Sequence, residues 1–130
     1  IEKLIASNLD GHALVAQGKH AEAIEVLVPI EAATRKYLND RNAWRVPRFL
    51  VNLGRARVGV RQFPAAKENL QEAWNIVKGY GPTSAEARDC AQALIALYTA
   101  WSTAEPSKGH DIKAAEWQVI ADELEAAHSG

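Results

Sequence analysis

The 130-residue chain contains no methionine and only one cysteine, Cys90. A single cysteine excludes an internal disulfide and a metal site built from several cysteines. A lone thiol is weakly typical of a reducing compartment, so we expect a cytoplasmic protein. The chain opens with Ile1 instead of methionine, which indicates a piece of a longer protein.

Long apolar runs and excess charge are also missing. No run of about 18 apolar residues occurs, so we expect no transmembrane helix. The formal net charge is −1, so no global field favours a nucleic acid or an anionic membrane as partner. Proline is scarce, at five residues, while 48% of the residues are hydrophobic and 24% are charged. This composition is typical of one ordinary globular domain with a core of its own, rich in helix.

Apolar residues recur at helical spacing in six segments, which glycines, prolines and polar turns separate. The predicted helices cover residues 2–17, 21–39, 42–60, 64–78, 86–103 and 111–127. Residues 39–42 form a predicted polar turn. Thr83 and Glu86 have the spacing of a capping box before the fifth helix, and Asp111 is the predicted cap of the sixth.

Two prolines fall inside predicted helices. Pro29 removes one helical hydrogen bond, and we expect it to kink the second helix without ending it. Pro47 permits two interpretations. It kinks a helix that begins at Asn42, or it occupies the first turn of a helix that begins later. We favour the early start, because Trp44 and Val46 would otherwise lie in an apolar loop.

Small residues repeat along the chain with a period near 42. Gly11 aligns with Gly54 and Leu27 with Leu70 at an offset of 43, and Leu94 aligns with Leu53 at an offset of 41. The stretch from Leu50 to Ala73 resembles a tetratricopeptide repeat (TPR), in the longer variant found in kinesin light chains and in C-terminal regions of bacterial multidomain proteins.

The resemblance implies an all-α fold, a right-handed α-solenoid of three TPR-like helical hairpins. The hairpins cover approximately residues 2–40, 42–80 and 83–127. Arg57 and Asp10 depart from the pattern, since both stand where the family has apolar residues. Arg57 either reaches solvent or pairs with an acidic residue of the adjoining repeat. The alternative fold is a plain six-helix bundle without repeats.

In tetratricopeptide repeat domains, which this chain resembles, the first helix of each hairpin lines a concave groove. The matching polar residues predict a peptide-binding groove formed by Asn8, His12, Arg48, Asn52, Arg55 and Gln92. Arg48 and Arg55 are two helical turns apart and project from one face, where they are suited to hold a carboxylate. The alternative is that both are solvated or pair with Asp89. The lysines of a chaperone-tail clamp are missing from the matching positions.

Four tryptophans are many for this length. Trp74 and Trp101 lie on apolar faces and are predicted core residues, whereas Trp44 and Trp117 have no obvious internal partner. The last helix carries two apolar stripes, one of Ile112, Ala115 and Val119 and another of Trp117, Ile120 and Leu124. We expect Trp117, Ile120 and Leu124 to form an interface with a further helix of the protein or with a second copy in a homodimer. The alternative is that both stripes form one broad core face.

No motif of an enzyme is present, neither a phosphate loop nor a nucleophile elbow nor paired histidines at metal spacing. We therefore predict no catalytic, cofactor-binding or metal-binding residue. Cys90 is expected to be a core thiol and His20 a packing residue. The sequence predicts a non-enzymatic scaffold module that binds a peptide or protein segment, with no nucleic acid or membrane as partner. The alternative is a regulatory or sensor domain attached to an enzyme such as a bacterial Ser/Thr kinase.

Overall fold

The computed structural model describes residues 1–38 and 42–129, and all regular structure in these residues is helical. The helices are α1 (Glu2–Ala16), α2 (His20–Leu27), α3 (Glu31–Tyr37), α4 (Arg45–Gly59), α5 (Phe63–Val77), α6 (Ala85–Ala104) and α7 (His110–Ser129). Short 3-10 turns, Val28–Ile30 and Lys78–Tyr80, follow α2 and α5. All six predicted helices are therefore present. Of the predicted polar turn, residues 39–41 lie outside the described residues.

The two prolines within predicted helices act differently from expectation. Pro29 lies in the 3-10 turn that separates α2 from α3, so the predicted second helix is divided in two instead of being kinked without a break. The early start of the third helix is wrong, because α4 begins at Arg45 and Pro47 occupies its first turn. A first-turn residue has no acceptor for its N–H inside the helix, so proline loses no bond there.

Neither predicted helix cap lies at the residue that was expected. Ser84, not Thr83, caps α6, where its side chain accepts a hydrogen bond from the Ala87 backbone N–H at 3.1 Å. Its hydroxyl also donates to Glu86 Oε2 at 3.2 Å. The last helix begins at His110, so Asp111 lies inside its first turn instead of capping it. Both carboxylates still lie at the positive end of a helix dipole, which stabilises them.

The turns that join α1 to α2 and α4 to α5 have the same backbone conformation. Gly18 and Arg61, 43 positions apart, both have positive φ angles, of 76° and 66°. The residues that follow, Lys19 and Gln62, have φ/ψ of −89°/66° and −91°/65°. Equivalent backbone bonds close both turns, from Lys19 N–H to Leu14 O and from Gln62 N–H to Arg57 O, each at 2.8 Å. The first two hairpins are therefore structural repeats at the predicted offset.

The same two hairpins are held together by equivalent close contacts. A Cβ atom built on Gly11 would lie 2.6 Å from Leu27 Cγ, and one built on Gly54 would lie 2.7 Å from Leu70 Cγ. Such distances are far below van der Waals contact, so only glycine lets the paired helices approach this closely. The alignment of Gly11 with Gly54 and of Leu27 with Leu70 is thus confirmed in three dimensions.

Successive hairpins pack on one another. Helix α4 contacts both α1 and α2, and α6 contacts both α4 and α5. The Phe63 ring stacks on Trp101 with centroids 5.7 Å apart, which joins the second hairpin to the third. The third hairpin, α6 with α7, has a longer turn in which Ser107 and Gly109 take positive φ angles. This turn lies between the predicted helices 86–103 and 111–127.

One face of α1 differs from the equivalent faces of α4 and α6. Ala6, Leu9, Asp10 and Ala13 are all exposed. The residues 43 positions later, Phe49, Asn52, Leu53 and Ala56, are all buried, as are Cys90, Ala93, Leu94 and Leu97 a further 41 positions on. In α4 and α6 this face packs toward the preceding hairpin, because Asn52 contacts His12 of α1 and Cys90 contacts Leu70 of α5. On α1, no residue among 1–38 and 42–129 covers this face.

Candidate functional site

The first helices of all three hairpins contribute to one open cavity of about 210 Å³. Its lining consists of His12 from α1, Pro47, Arg48, Val51 and Asn52 from α4, Val77 from α5, and Ala85, Glu86 and Asp89 from α6. We call this cavity the groove. Three of the six predicted groove residues, His12, Arg48 and Asn52, lie in its wall.

The first wall of the groove is fixed by a bond between two hairpins. His12 Nδ1 lies 3.1 Å from Asn52 Oδ1. Asn52 is buried, while His12 is exposed. The pair therefore holds the histidine ring against α4 at the edge of the groove, and it leaves little of Asn52 for a ligand to contact.

The two arginines that were expected to act together have separate partners. Arg55 Nη2 forms an ion pair with Asp89 Oδ1 at 2.9 Å and donates to the Asp89 backbone oxygen at 3.3 Å. Pairing with Asp89 was the alternative interpretation, and for Arg55 it is confirmed. Arg48 instead lies over the Trp44 ring, 5.3 Å from its centroid. A joint grip of Arg48 and Arg55 on one carboxylate would require Arg55 to leave Asp89.

The remaining predicted groove residues do not line the cavity. Asn8 is buried and donates to Leu4 O at 3.0 Å and to Thr34 Oγ1 at 3.2 Å. It thereby ties α1 to α3, which gives it a packing role. Gln92 is exposed on α6 and is not among the lining residues.

The second wall of the groove is formed by α6, and the sequence did not predict most of its residues. Glu86 lies in the first turn of α6 and accepts a hydrogen bond from the Ser84 hydroxyl. The sequence assigned it to a capping box, although Glu86 and Asp89 are three apart and so share a helical face. The floor is apolar and consists of Pro47, Val51 and Val77, which are buried. Val77 belongs to α5, the second helix of its hairpin. The resemblance predicts groove residues on first helices, so Val77 was not expected in the groove.

Of the three residues expected to form an interface on the last helix, Trp117 is buried within the chain. Trp117 is only 9% exposed, and its ring meets the edge of Trp74 with centroids 5.0 Å apart. The absence of an internal partner was therefore a wrong prediction. Ile120 and Leu124 are half-buried and line a second cavity of about 440 Å³ beside Trp74. The freely exposed stripe of α7 is the other one, with Ile112 at 61% and Val119 at 57% exposure.

Arg57, the main departure from the repeat pattern, has a partner that neither interpretation foresaw. Its Nη1 donates to Asn69 Oδ1 on α5 of the same hairpin at 2.7 Å. Asn69 is buried, so the amide replaces the carboxylate that was considered as a partner. His20 packs against the Gly59 backbone, which confirms its packing role. The two side chains keep one buried nitrogen each, Arg57 Nε and His20 Nδ1, without a hydrogen-bond partner among the described residues.

Three titratable groups outside the groove, Cys90, Glu31 and Glu72, have structural partners. Cys90 is fully buried, its Sγ lies 3.5 Å from Leu70 O, and burial raises the pKa of the thiol to about 12. The prediction of a core thiol is confirmed. Glu31 and Glu72 both bind Arg35, at 3.0 Å and 2.6 Å, and both remain partly exposed. This bond from Arg35 lowers the pKa of Glu72 and thereby favours its charged form.

Within residues 1–38 and 42–129, no cluster of three or more His, Cys, Asp or Glu side chains is placed to hold a metal ion. No helix in this part of the chain is both long enough and apolar enough to cross a membrane. Comparison of the chain with protein-family models, curated proteins and solved structures gives no match. The interpretation of the groove therefore depends on its own geometry.

Proposed function

We propose that this protein is a non-enzymatic interaction module, a right-handed solenoid of three TPR-like hairpins that binds a peptide or protein segment in the groove. Two observations support the solenoid: the turns at Gly18 and Arg61 repeat in conformation, and each later hairpin packs on both helices of the one before. Stacked hairpins expose a continuous surface along their first helices, which is the surface that repeat proteins use for binding.

The observation that carries the proposal is that α1, α4 and α6 converge on a single cavity with an apolar floor and polar walls. An apolar floor accepts a side chain, while polar groups at the rim orient the chain that carries it. The lining residues of the groove include no serine, threonine, cysteine, lysine or tyrosine, and the one thiol of the chain, Cys90, is buried. Binding is accordingly the activity that these residues support best.

The proposal is tested by affinity capture from the source cell on the immobilised chain. Three baits are compared: the wild type, Arg48→Glu in the groove, and Lys67→Glu on the exposed face of α5. We expect at least one protein that the wild type and Lys67→Glu retain and that Arg48→Glu loses. If every captured protein binds all three baits equally, the groove is not the binding surface.

A further inference from the structure

We propose that the groove selects a peptide segment in which an apolar side chain stands between an acidic and a basic residue. This inference rests on the proposed function, and it adds the chemistry of the partner. It follows from one unpaired charge on each wall of the groove and from the size of the floor between them.

The α4 wall carries an unpaired positive charge. Arg48 lines the groove, is exposed, and forms no ion pair with any described residue. Its contact with the Trp44 ring orients the guanidinium but does not neutralise it. Arg48 also lies in the first turn of α4, and the positive end of the helix dipole disfavours a cation there. A carboxylate of the ligand would supply the missing ion-pair partner and offset the unfavourable helix dipole. It can also accept two parallel hydrogen bonds from arginine.

The α6 wall carries an unpaired negative charge. Of its two carboxylates, Asp89 is already neutralised by Arg55 at 2.9 Å. Glu86 accepts a hydrogen bond from the neutral Ser84 hydroxyl, and it has no basic partner within ion-pair distance among the described residues. It is half-buried, so solvent screens it less than a fully exposed carboxylate. A lysine or arginine of the ligand would complete this wall.

The floor between the two charges is apolar and small. Pro47, Val51 and Val77 are all buried at the bottom of the groove. The cavity of about 210 Å³ is smaller than the roughly 300–1,000 Å³ that encloses a drug-sized ligand. It therefore suits one branched apolar side chain with the backbone on either side of it. The complementary sequence is of the type Asp-Leu-Lys, whereas Asp-Leu-Asp or Lys-Leu-Lys would place like charges against one wall.

The test uses the full chain and three end-blocked pentapeptides, Gly-Asp-Leu-Lys-Gly, Gly-Asp-Leu-Asp-Gly and Gly-Lys-Leu-Lys-Gly, in titrations followed by amide chemical shifts. We expect the wild type to bind the Asp-Leu-Lys peptide at least about threefold more tightly than the other two, with shifts at Arg48, Val51 and Glu86. The variant Arg48→Glu should then prefer Lys-Leu-Lys, and Glu86→Lys should prefer Asp-Leu-Asp. Lys67→Glu is the matched surface control and should keep the wild-type order.

Equal affinity of the wild type for all three peptides overturns the inference, as does an order that Arg48→Glu and Glu86→Lys leave unchanged. Absence of shifts in the groove at millimolar peptide also overturns it. The milder variants Arg48→Gln and Glu86→Gln, each with its helical circular dichroism checked, serve if a charge reversal unfolds the chain. If the peptides fail while capture still depends on Arg48, the groove binds a partner of different chemistry. If capture fails as well, the proposed function is wrong.

Discussion

Gly54 is a residue where the two helices of the second hairpin approach closely. Replacing it with alanine would place a methyl group 2.7 Å from Leu70, whose side chain is fully buried. Overpacking of this kind costs about 1–3 kcal/mol. We expect Gly54→Ala to lower the free energy of unfolding by that amount, as measured by urea denaturation.

The control for this change is Gly79→Ala. A Cβ atom on Gly79 would have no neighbour within 4 Å, and its φ angle is not positive. This variant should therefore unfold within about 0.5 kcal/mol of the wild type. If both variants unfold like the wild type, the close approach at Gly54 is not what holds the hairpin together.

Cys90 gives a second prediction for a single residue. Because burial raises the pKa of its thiol to about 12, almost no thiolate exists at pH 8, and the thiolate is the reactive form. We expect no reaction with a disulfide reagent at pH 8 in the folded protein, and one rapidly titrated thiol after denaturation. The raised pKa of the thiol also predicts how the stability of the folded chain depends on pH. The unfolded thiol ionises near pH 9 and the folded one does not, so the stabilising contribution of the buried thiol falls as the pH rises above about 9. Rapid labelling of the native chain would contradict this placement.

Among single residues, the sequence predicted those whose role follows from periodicity and size. Gly54, Leu70 and Cys90 lie on repeated apolar faces, so their burial could be foreseen. Arg57 and Trp117 could not, because each depends on a partner distant along the chain. Asn69 accepts the hydrogen bond from Arg57, and the ring of Trp74 packs perpendicular to that of Trp117. Nothing in a single sequence marks these pairs.

Between elements, the ion pairs of Arg35 connect α3 to α5. Arg35 binds Glu31 of its own helix and Glu72 of α5, and all three side chains are at least a third exposed. Solvent screening limits such a network to about 1 kcal/mol or less. We expect Glu72→Gln to reduce the free energy of unfolding by up to that amount at pH 7, whereas Glu68→Gln, on the exposed face of the same helix, should have no effect.

The same pair predicts a dependence on pH. Arg35 lowers the pKa of Glu72 below its usual 4.5, so the unfolded chain binds a proton at higher pH than the folded chain. The stabilisation is complete above about pH 5 and is lost as the pH falls through the folded pKa. Denaturation at pH 7 and pH 3 should therefore show a smaller difference between wild type and Glu72→Gln at the acidic value. A difference of equal size at both pH values would mean that the ion pair contributes nothing.

At the level of elements, sequence reasoning was most accurate where a glycine ends a helix and least accurate at helix starts. Gly18 is one of the glycines that separate the predicted helices, and it follows α1 with a positive φ, which costs glycine little. The start of α4 was misplaced because Trp44 looked too apolar for a loop. Its ring is in fact covered by Arg45, 4.3 Å from the centroid, and by Arg48. Only the folded chain brings these side chains together.

For the whole molecule, burial is unequal along the order of the hairpins. Only Asn8 and Gly11 are buried in α1, whereas eight residues of α4 are buried between the first and third hairpins. In stacked repeats, stability is approximately the sum of each repeat and its contacts with neighbours, so a terminal element opens first. We expect amide hydrogens of α1 to exchange faster than those of α4 under native conditions, as measured by hydrogen exchange with mass spectrometry. Equal protection of α1 and α4 would indicate one cooperative bundle.

The groove shows how far sequence reasoning reaches for a site made by several hairpins. The repeat offset correctly placed His12, Arg48 and Asn52 on one surface, since equivalent positions of stacked helices face the same way. It could not show that Asn8 turns toward Thr34 or that Arg55 is held by Asp89, because both depend on helix-to-helix distance. The contribution of Glu86 depends on where α6 begins, which is the least predictable property of a helix.

The exposed face of α1 has a consequence for the behaviour of the protein at high concentration. An uncovered hairpin face of alanine and leucine would accept the opposite end of another molecule, and head-to-tail contacts that do not close grow into fibres. Asp10 places a carboxylate in the middle of this face, where Leu53 and Leu94 fill the equivalent positions. We expect Asp10→Leu to form polymers whose size grows with concentration in light scattering, while Asp10→Asn stays dispersed. A single negative charge would then act as the gatekeeper that stops this chain from polymerising.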